Sequence, residues 1–190
     1  AKLKKSISPE LYTTMLHDLQ QIPQLMERVL KLDTEICDLA KIFTYAHNFI
    51  YLGRGYNYPV ALEGALKLKE ISYIHSEAYA AGELKHGTIS LIEDGTLVIG
   101  TLTQDALYEK TVSNMVECKS RGAYLMGLTT YGNYETEDTC DFTVYIPKTD
   151  AYFTASLAVI PLQLLGYYVS VAKGLDVDKP RNLAKSVTVE

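Results

Sequence analysis

Apolar residues recur at helical spacing in the first quarter of the chain, and they predict two helices between residues 10 and 46. The first helix has its apolar positions at Leu11, Met15, Leu19 and Ile22. The second has them at Leu25, Val29, Leu32, Ile36, Leu39 and Ala40. Pro23 interrupts the pattern between the two runs, so we expect the boundary between the helices there.

From residue 47 onward, short β-rich runs alternate with longer helical runs. Strands are predicted at 48–52, 96–101, 123–129 and 142–146, with helices starting near Pro59 and covering 106–121 and 153–172. This alternation is typical of βαβ crossovers. We therefore predict an α/β fold, a three-layer αβα sandwich with a mainly parallel sheet. It forms a single domain with a helical lead-in (1–46), a core (47–174) and a C-terminal tail (175–190).

A narrow charged stripe lies on the helix predicted after Pro59. At about 100° per residue, Glu63, Lys67 and Glu70 fall within about 60° of arc on a helix that is otherwise mostly apolar. Glutamate four residues before lysine is a common pairing on solvated helix faces. A helix that is apolar on its other sides is normally buried, however, and buried charges need partners. Two interpretations of the stripe therefore remain open: a solvated, ion-paired face and a proton-transfer site.

Two glycine-flanked segments are further candidates. Gly53-Arg54-Gly55 joins a strand to a helix, where either a tight structural turn or a phosphate-facing loop is found. His86 lies in a loop between Gly82 and Gly87 and suits either a loop histidine or a proton-transfer group. His75 adjoins a β-like stretch at 71–74, which favours a structural role. The four histidines lack the spacing of metal ligands, so no metal site is predicted.

Composition excludes some classes of function. A net charge of −5 argues against binding to nucleic acid or to an anionic membrane. The three cysteines form no CxxC pair and suit free thiols in a reducing compartment. We find neither a signal peptide nor an apolar run of about 18 residues, so we expect a cytoplasmic protein without a membrane span.

Four strings carry a resemblance to one family: LGRG, LEGALKLKEISYIHSEAYAAGELKHG, IPLQLL and DVDKPRNLAKSVTVE. In order and content they resemble the C-terminal half of the isomerase region of the glutamine–fructose-6-phosphate aminotransferases, also called glucosamine-6-phosphate synthases. That region holds two sugar isomerase (SIS) domains, and the chain resembles the second one with its tail, over nearly all of residues 25–190. Thr88 departs from the family pattern, which has proline after LKHG.

The resemblance implies roles for five residues. Glu70 matches the glutamate that moves a proton between C1 and C2 of the sugar, with Lys67 and Glu63 as supporting groups. His86 matches the histidine that assists ring opening in the site of the neighbouring subunit. Lys185 matches the tail lysine that engages the open-chain ketose carbonyl as a Schiff base, within a tail that closes over the sugar.

The resemblance also implies partners. A homodimer would convert fructose 6-phosphate to glucosamine 6-phosphate for UDP-N-acetylglucosamine biosynthesis, without a cofactor, using ammonia from glutamine. The glutaminase and the first SIS domain have no counterpart in this sequence, so we expect it to be part of a longer enzyme and inactive alone. Two alternatives remain open. One is a non-catalytic, regulatory SIS module that binds a sugar phosphate, and the other is a pure dimerisation scaffold.

Overall fold

The computed structural model describes residue 4 and residues 6–181 of the 190-residue chain. Five α-helices lie in this range: α1 (Pro9–Leu30), α2 (Asp33–Phe43), α3 (Asn57–Ser72), α4 (Tyr108–Lys119) and α5 (Ala151–Ala172). The five strands are β1 (Asn48–Gly53), β2 (His75–Ala80), β3 (Leu97–Thr101), β4 (Tyr124–Thr130) and β5 (Phe142–Ile146). Short 3₁₀ helices at Ala81–His86, Thr88–Leu91, Asp105–Leu107 and Tyr134–Asp138 complete the secondary structure.

The strands form one sheet in the order β2-β1-β3-β4-β5, and every pairing is parallel. Tyr51 of β1 is in register with Ile99 of β3, which is in register with Met126 of β4. The three central strands are buried on both faces, so they appear in the sequence as continuous apolar runs rather than alternating ones.

Helices cover both faces of the sheet. On one face, α3 and α5 pack with α2 and the end of α1 against side chains such as Phe49 and Leu128. On the other face, α4 and the 3₁₀ helix Ala81–His86 pack against Ile50, Leu52 and Val98. These layers confirm the predicted αβα sandwich, with a sheet that is wholly parallel.

Three local predictions are wrong. Helix α1 continues through Pro23 and ends at Leu30, since proline removes one helical hydrogen bond without forbidding the helix, and α1 packs on α5. The stretch 71–74 is not β-like, because α3 extends to Ser72 and β2 begins at His75. The segment Ala81–His86 is a 3₁₀ helix rather than a loop, and Gly87 ends it with φ 140°.

The apolar character of α5 also corrects the expectation that the chain has no apolar run of about 18 residues. Within the described residues it is the one helix that is long and apolar enough, by length and composition, to cross a membrane. Its buried residues, including Leu157, Leu162 and Val169, belong to the core against the sheet and α3. A core helix of this kind has the same composition as a membrane span, so the length criterion alone does not separate the two.

The three cysteines are unpaired, as their spacing predicted. Cys118 and Cys140 are buried, and burial raises the pKa of each thiol to about 12 because the thiolate loses its solvation. Cys37 is partly exposed.

The turn after β1 depends on close contact between two backbone segments. A β-carbon added at Gly53 would lie 2.4 Å from the carbonyl oxygen of Asn57 and 2.7 Å from the nitrogen of Tyr58. Both are backbone atoms at the start of α3, so no side-chain rotation relieves the clash. The first glycine of Gly53-Arg54-Gly55 is therefore required by packing.

We predict that Gly53→Ala lowers the free energy of unfolding by about 1–3 kcal/mol, because the added methyl group separates β1 from α3. Urea denaturation measures the loss. Gly166→Ala is the matched control, since its β-carbon would meet neighbours at an ordinary 3.4 Å inside helix α5. A Gly53→Ala loss no larger than that of the control would contradict the packing argument.

Candidate active site

The charged stripe predicted from the sequence lies on α3. The opposite face of this helix is buried through Ala61, Gly64, Ala65 and Leu68. Lys67 lies between the two carboxylates: its Nζ is 2.9 Å from Oε2 of Glu70 and 4.0 Å from Oε1 of Glu63. Each of the three side chains is 35–40% exposed, so the stripe is neither fully solvated nor buried.

The stripe forms a small charge network. The hydrogen bond to Glu70 raises the pKa of Lys67, and the negative charges of Glu70 and Glu63 add to this while partial burial opposes it. Lys67 therefore remains an ammonium well above neutral pH. Gln163 of α5 reaches Oε1 of Glu63 with its Nε2 at 3.4 Å, which links the stripe to the neighbouring helix.

A depression of about 610 Å³ opens beside Glu70 at the C-terminal end of α3. Its lining includes Leu66, Lys69, Glu70, Tyr73 and His75. His75 is exposed, and its Nδ1 lies 3.2 Å from Oδ1 of Asn48 on β1. The depression thus combines an apolar wall with a carboxylate and other ionisable groups. Such a lining suits a small, polar organic ligand.

His86 lies at the opposite end of strand β2 from Glu70. Helix α3 connects two parallel strands, so its C-terminal end with Glu70 lies beside the start of β2. His86 follows the end of β2, and a six-residue strand spans roughly 17 Å. The histidine is 74% exposed, with its Nε2 3.9 Å from Oε2 of Glu83. One chain does not bring His86 and Glu70 together.

Arg54 has a structural role in this region. Its Nη2 donates to Oδ1 of Asn114 on α4 at 2.9 Å, and its guanidinium lies against Gly82. It therefore supports the 3₁₀ helix that carries His86. With the required glycine at position 53, this favours the structural-turn interpretation of Gly53-Arg54-Gly55.

A second, polar crevice of about 310 Å³ lies at the carboxyl edge of the sheet. Asn57 spans part of its floor, donating to the carbonyl oxygen of Thr101 and accepting from the hydroxyl of Thr103. Lys148 and Asp105 also line the crevice, with Nζ and Oδ2 3.4 Å apart. In the described part of the chain, no three His, Cys, Asp or Glu side chains converge as a metal site would require.

Comparison with known proteins identifies the family of this fold. The sequence profile of the SIS domain matches residues 42–173, which contain the whole sheet and helices α3 to α5. The chain belongs to the SIS domain family.

Individual relatives place this SIS domain more narrowly. Isomerising glutamine–fructose-6-phosphate aminotransferases from Bacteroides thetaiotaomicron and Clostridium tetani are 50% and 52% identical to it over 190 residues. These matches cover the entire chain and only 31% of each relative. The chain therefore spans about a third of the length of these relatives. They confirm the resemblance on which the site residues were assigned.

One solved structure agrees with this placement, and a second has a similar fold under a different enzyme name. The C-terminal domain of glucosamine-fructose-6-phosphate aminotransferase from Francisella tularensis is 39% identical with a TM-score of 0.87, over 94% of this chain and 50% of that one. Glucosamine-6-phosphate deaminase from Thermotoga maritima is 28% identical with a TM-score of 0.62, over 85% and 49%.

For this SIS domain, one predicted site residue has no described position, and one residue that lines the depression beside Glu70 was not predicted. Lys185 lies outside the described residues. Tyr73, at the end of α3, was not singled out because nothing in its sequence context distinguishes it from a surface tyrosine. It lines the same depression as Glu70 and contacts Arg181.

Proposed function

We propose that this chain is the second SIS domain of a glutamine–fructose-6-phosphate aminotransferase and that α3 provides proton-transfer groups for its isomerase reaction. The observation that carries the proposal is the placement of Lys67 between Glu63 and Glu70 on one half-exposed face beside a depression. Relatives about 50% identical along the entire chain, all named as that aminotransferase, support it.

The proposed reaction joins fructose 6-phosphate and ammonia to give glucosamine 6-phosphate and water. The amine of Lys185 condenses with the C2 carbonyl of the open-chain ketose and releases water, forming an imine. Ammonia then displaces the lysine from C2. A proton leaves C1 and one is returned to C2, so C1 is oxidised to the aldehyde level as C2 is reduced. No external oxidant, reductant or cofactor is required.

Glu70 is the proposed carrier of that proton. Its carboxylate borders the depression, where a bound sugar can present C1 and C2 to it. Lys67 donates to the same carboxylate and keeps its positive charge at neutral pH. An ammonium there stabilises the negative charge that develops on the sugar when C1 loses its proton. Glu63 holds Lys67 from the other side.

The proposed site is completed by other chains and domains. The separation of Glu70 and His86 at opposite ends of β2 supports a homodimer in which His86 assists ring opening in the partner's site. Leu62 and Leu66 flank the stripe and are 45% and 48% exposed. Such an apolar border suits coverage by the first SIS domain or a second subunit. The glutaminase supplies ammonia in this proposal, and we expect the enzyme in the cytoplasm.

We expect Glu70→Gln, made in the complete enzyme that carries this sequence, to slow exchange of the transferred proton with solvent deuterium at least 100-fold. Binding of fructose 6-phosphate should remain, because the amide keeps the shape of the carboxylate. Mass spectrometry of the sugar measures the exchange. Glu27→Gln is the control, an exposed glutamate on α1. Unchanged exchange in Glu70→Gln would rule out this role for the residue.

Borohydride should trap a hexose phosphate on Lys185. The reagent delivers hydride to the imine carbon and leaves a stable secondary amine, which peptide mapping locates. Lys185→Ala should abolish the adduct, whereas Lys179→Ala should retain it, because Lys179 contributes its backbone N–H to a turn. An adduct on another lysine would overturn the assignment. Sugar binding with no adduct at all would favour the alternative of a non-catalytic regulatory module.

Mixed dimers distinguish a shared site from one within a single chain. If Glu70 and His86 of different subunits form each site, a dimer of one Glu70→Gln chain and one His86→Asn chain retains one intact site. A random one-to-one mixture of two inactive variants then recovers about a quarter of wild-type activity. If both residues act within one subunit, the mixture stays inactive, and the shared-site proposal fails.

A further inference from the structure

The C-terminal end of α3 has an unusual backbone. Tyr73 follows the helix in the left-handed conformation, with φ 60° and ψ 18°, and its N–H donates to the carbonyl oxygen of Lys69. Within the described residues it is the one non-glycine with positive φ. Glycine is the usual residue at this position of a helix end. A tyrosine held in such a conformation points to a function for its side chain.

That side chain binds Arg181 in two ways. The guanidinium carbon of Arg181 lies 4.1 Å from the centre of the Tyr73 ring, which is a cation–π contact. The backbone N–H of Arg181 also donates to the Tyr73 hydroxyl at 2.8 Å. The ring therefore fixes both the side chain and the main chain of one residue.

The segment between α5 and Arg181 is shaped to reach this point. Lys173, at the end of α5, donates from Nζ to the carbonyl oxygen of Ser72 at 2.8 Å. The carboxylate of Asp176 then accepts the N–H groups of Asp178 and Lys179, which forms a turn. The chain is thus held to the last residue of α3 at Lys173 and to the next residue at Arg181.

We propose that Tyr73 is a positioning residue of the isomerase site, which anchors the C-terminal tail beside Glu70. Tyr73 lies three residues after Glu70 and lines the same depression. Lys185 follows Arg181 by four residues, and four residues extend at most about 14 Å. The anchor therefore fixes Arg181, the last described residue before Lys185, against a residue that lines the depression beside Glu70. This inference rests on the proposed function.

Tyr73→Gly separates a positioning role from a structural one. Glycine relieves the left-handed backbone while removing both contacts to Arg181, so the thermal stability of the fold should stay the same or rise. In the complete enzyme, the rate of borohydride trapping at Lys185 should fall about tenfold. Arg181→Ala should give a smaller fall, because its backbone N–H still donates to the Tyr73 hydroxyl, and the double variant should fall no further than Tyr73→Gly.

A second measurement reports the anchor without any chemistry. The amide hydrogen of Arg181 is bonded to the Tyr73 hydroxyl, so Tyr73→Phe should speed its exchange with solvent. Tyr152→Phe is the matched control, since Tyr152 is 69% exposed at the start of α5. Unchanged exchange at Arg181 in Tyr73→Phe would overturn the anchor.

The outcomes separate the two proposals. Trapping in the wild-type enzyme with an unchanged rate in Tyr73→Gly overturns the positioning role and leaves the proposed function intact. A wild-type enzyme that binds fructose 6-phosphate but gives no adduct at Lys185 overturns the imine step and the positioning role together. If Tyr73→Gly lowers the trapping rate and also lowers the thermal stability of the fold, Tyr73 is a structural residue and the inference is overturned.

Discussion

The close packing of α3 against β1 and α5 is the constraint on which the rest of the structure depends. A β-carbon added at Gly64 would lie 2.8 Å from Cδ1 of Leu162 and 2.9 Å from Cε1 of Tyr51. The absence of a side chain there lets the helix backbone lie directly on its neighbours. With that face fixed, the helix cannot rotate, and Glu63, Lys67 and Glu70 are held outward. The geometry of the charged stripe is therefore set by packing on the opposite side of the helix.

The direction of α3 has an equally large effect on the proposed site. A helical crossover between parallel strands returns the chain to the end of the sheet where the strands begin, so Glu70 and His86 are placed at opposite ends of β2. A single chain therefore presents two parts of the proposed chemistry that do not meet. This is the physical basis for proposing a shared site, because a second subunit can bring a distant histidine to a carboxylate that its own chain cannot reach.

The sequence predicted the central strands and α5 well because they are buried and apolar, but it failed where local and tertiary preferences differ. Pro23 predicted a break that packing of α1 on α5 overrides. Edge strand β2 was missed, since half of HSEAYA is polar and its hydrogen bonds to β1 come from distant sequence. The stripe at Glu63, Lys67 and Glu70 was predictable because three residues on one helix need only helical periodicity to share a face.

The sequence by itself determined the fold class, the family and the shared face of the charged residues, because these follow from periodicity and from matched strings of residues. Only the tertiary structure decided that the stripe is half-exposed beside a depression, that His86 lies at the other end of β2, and that Tyr73 binds Arg181. Those facts depend on contacts between residues up to 108 positions apart. Such contacts form only when the packed core brings the ends of α3 and α5 together, and no local pattern encodes them.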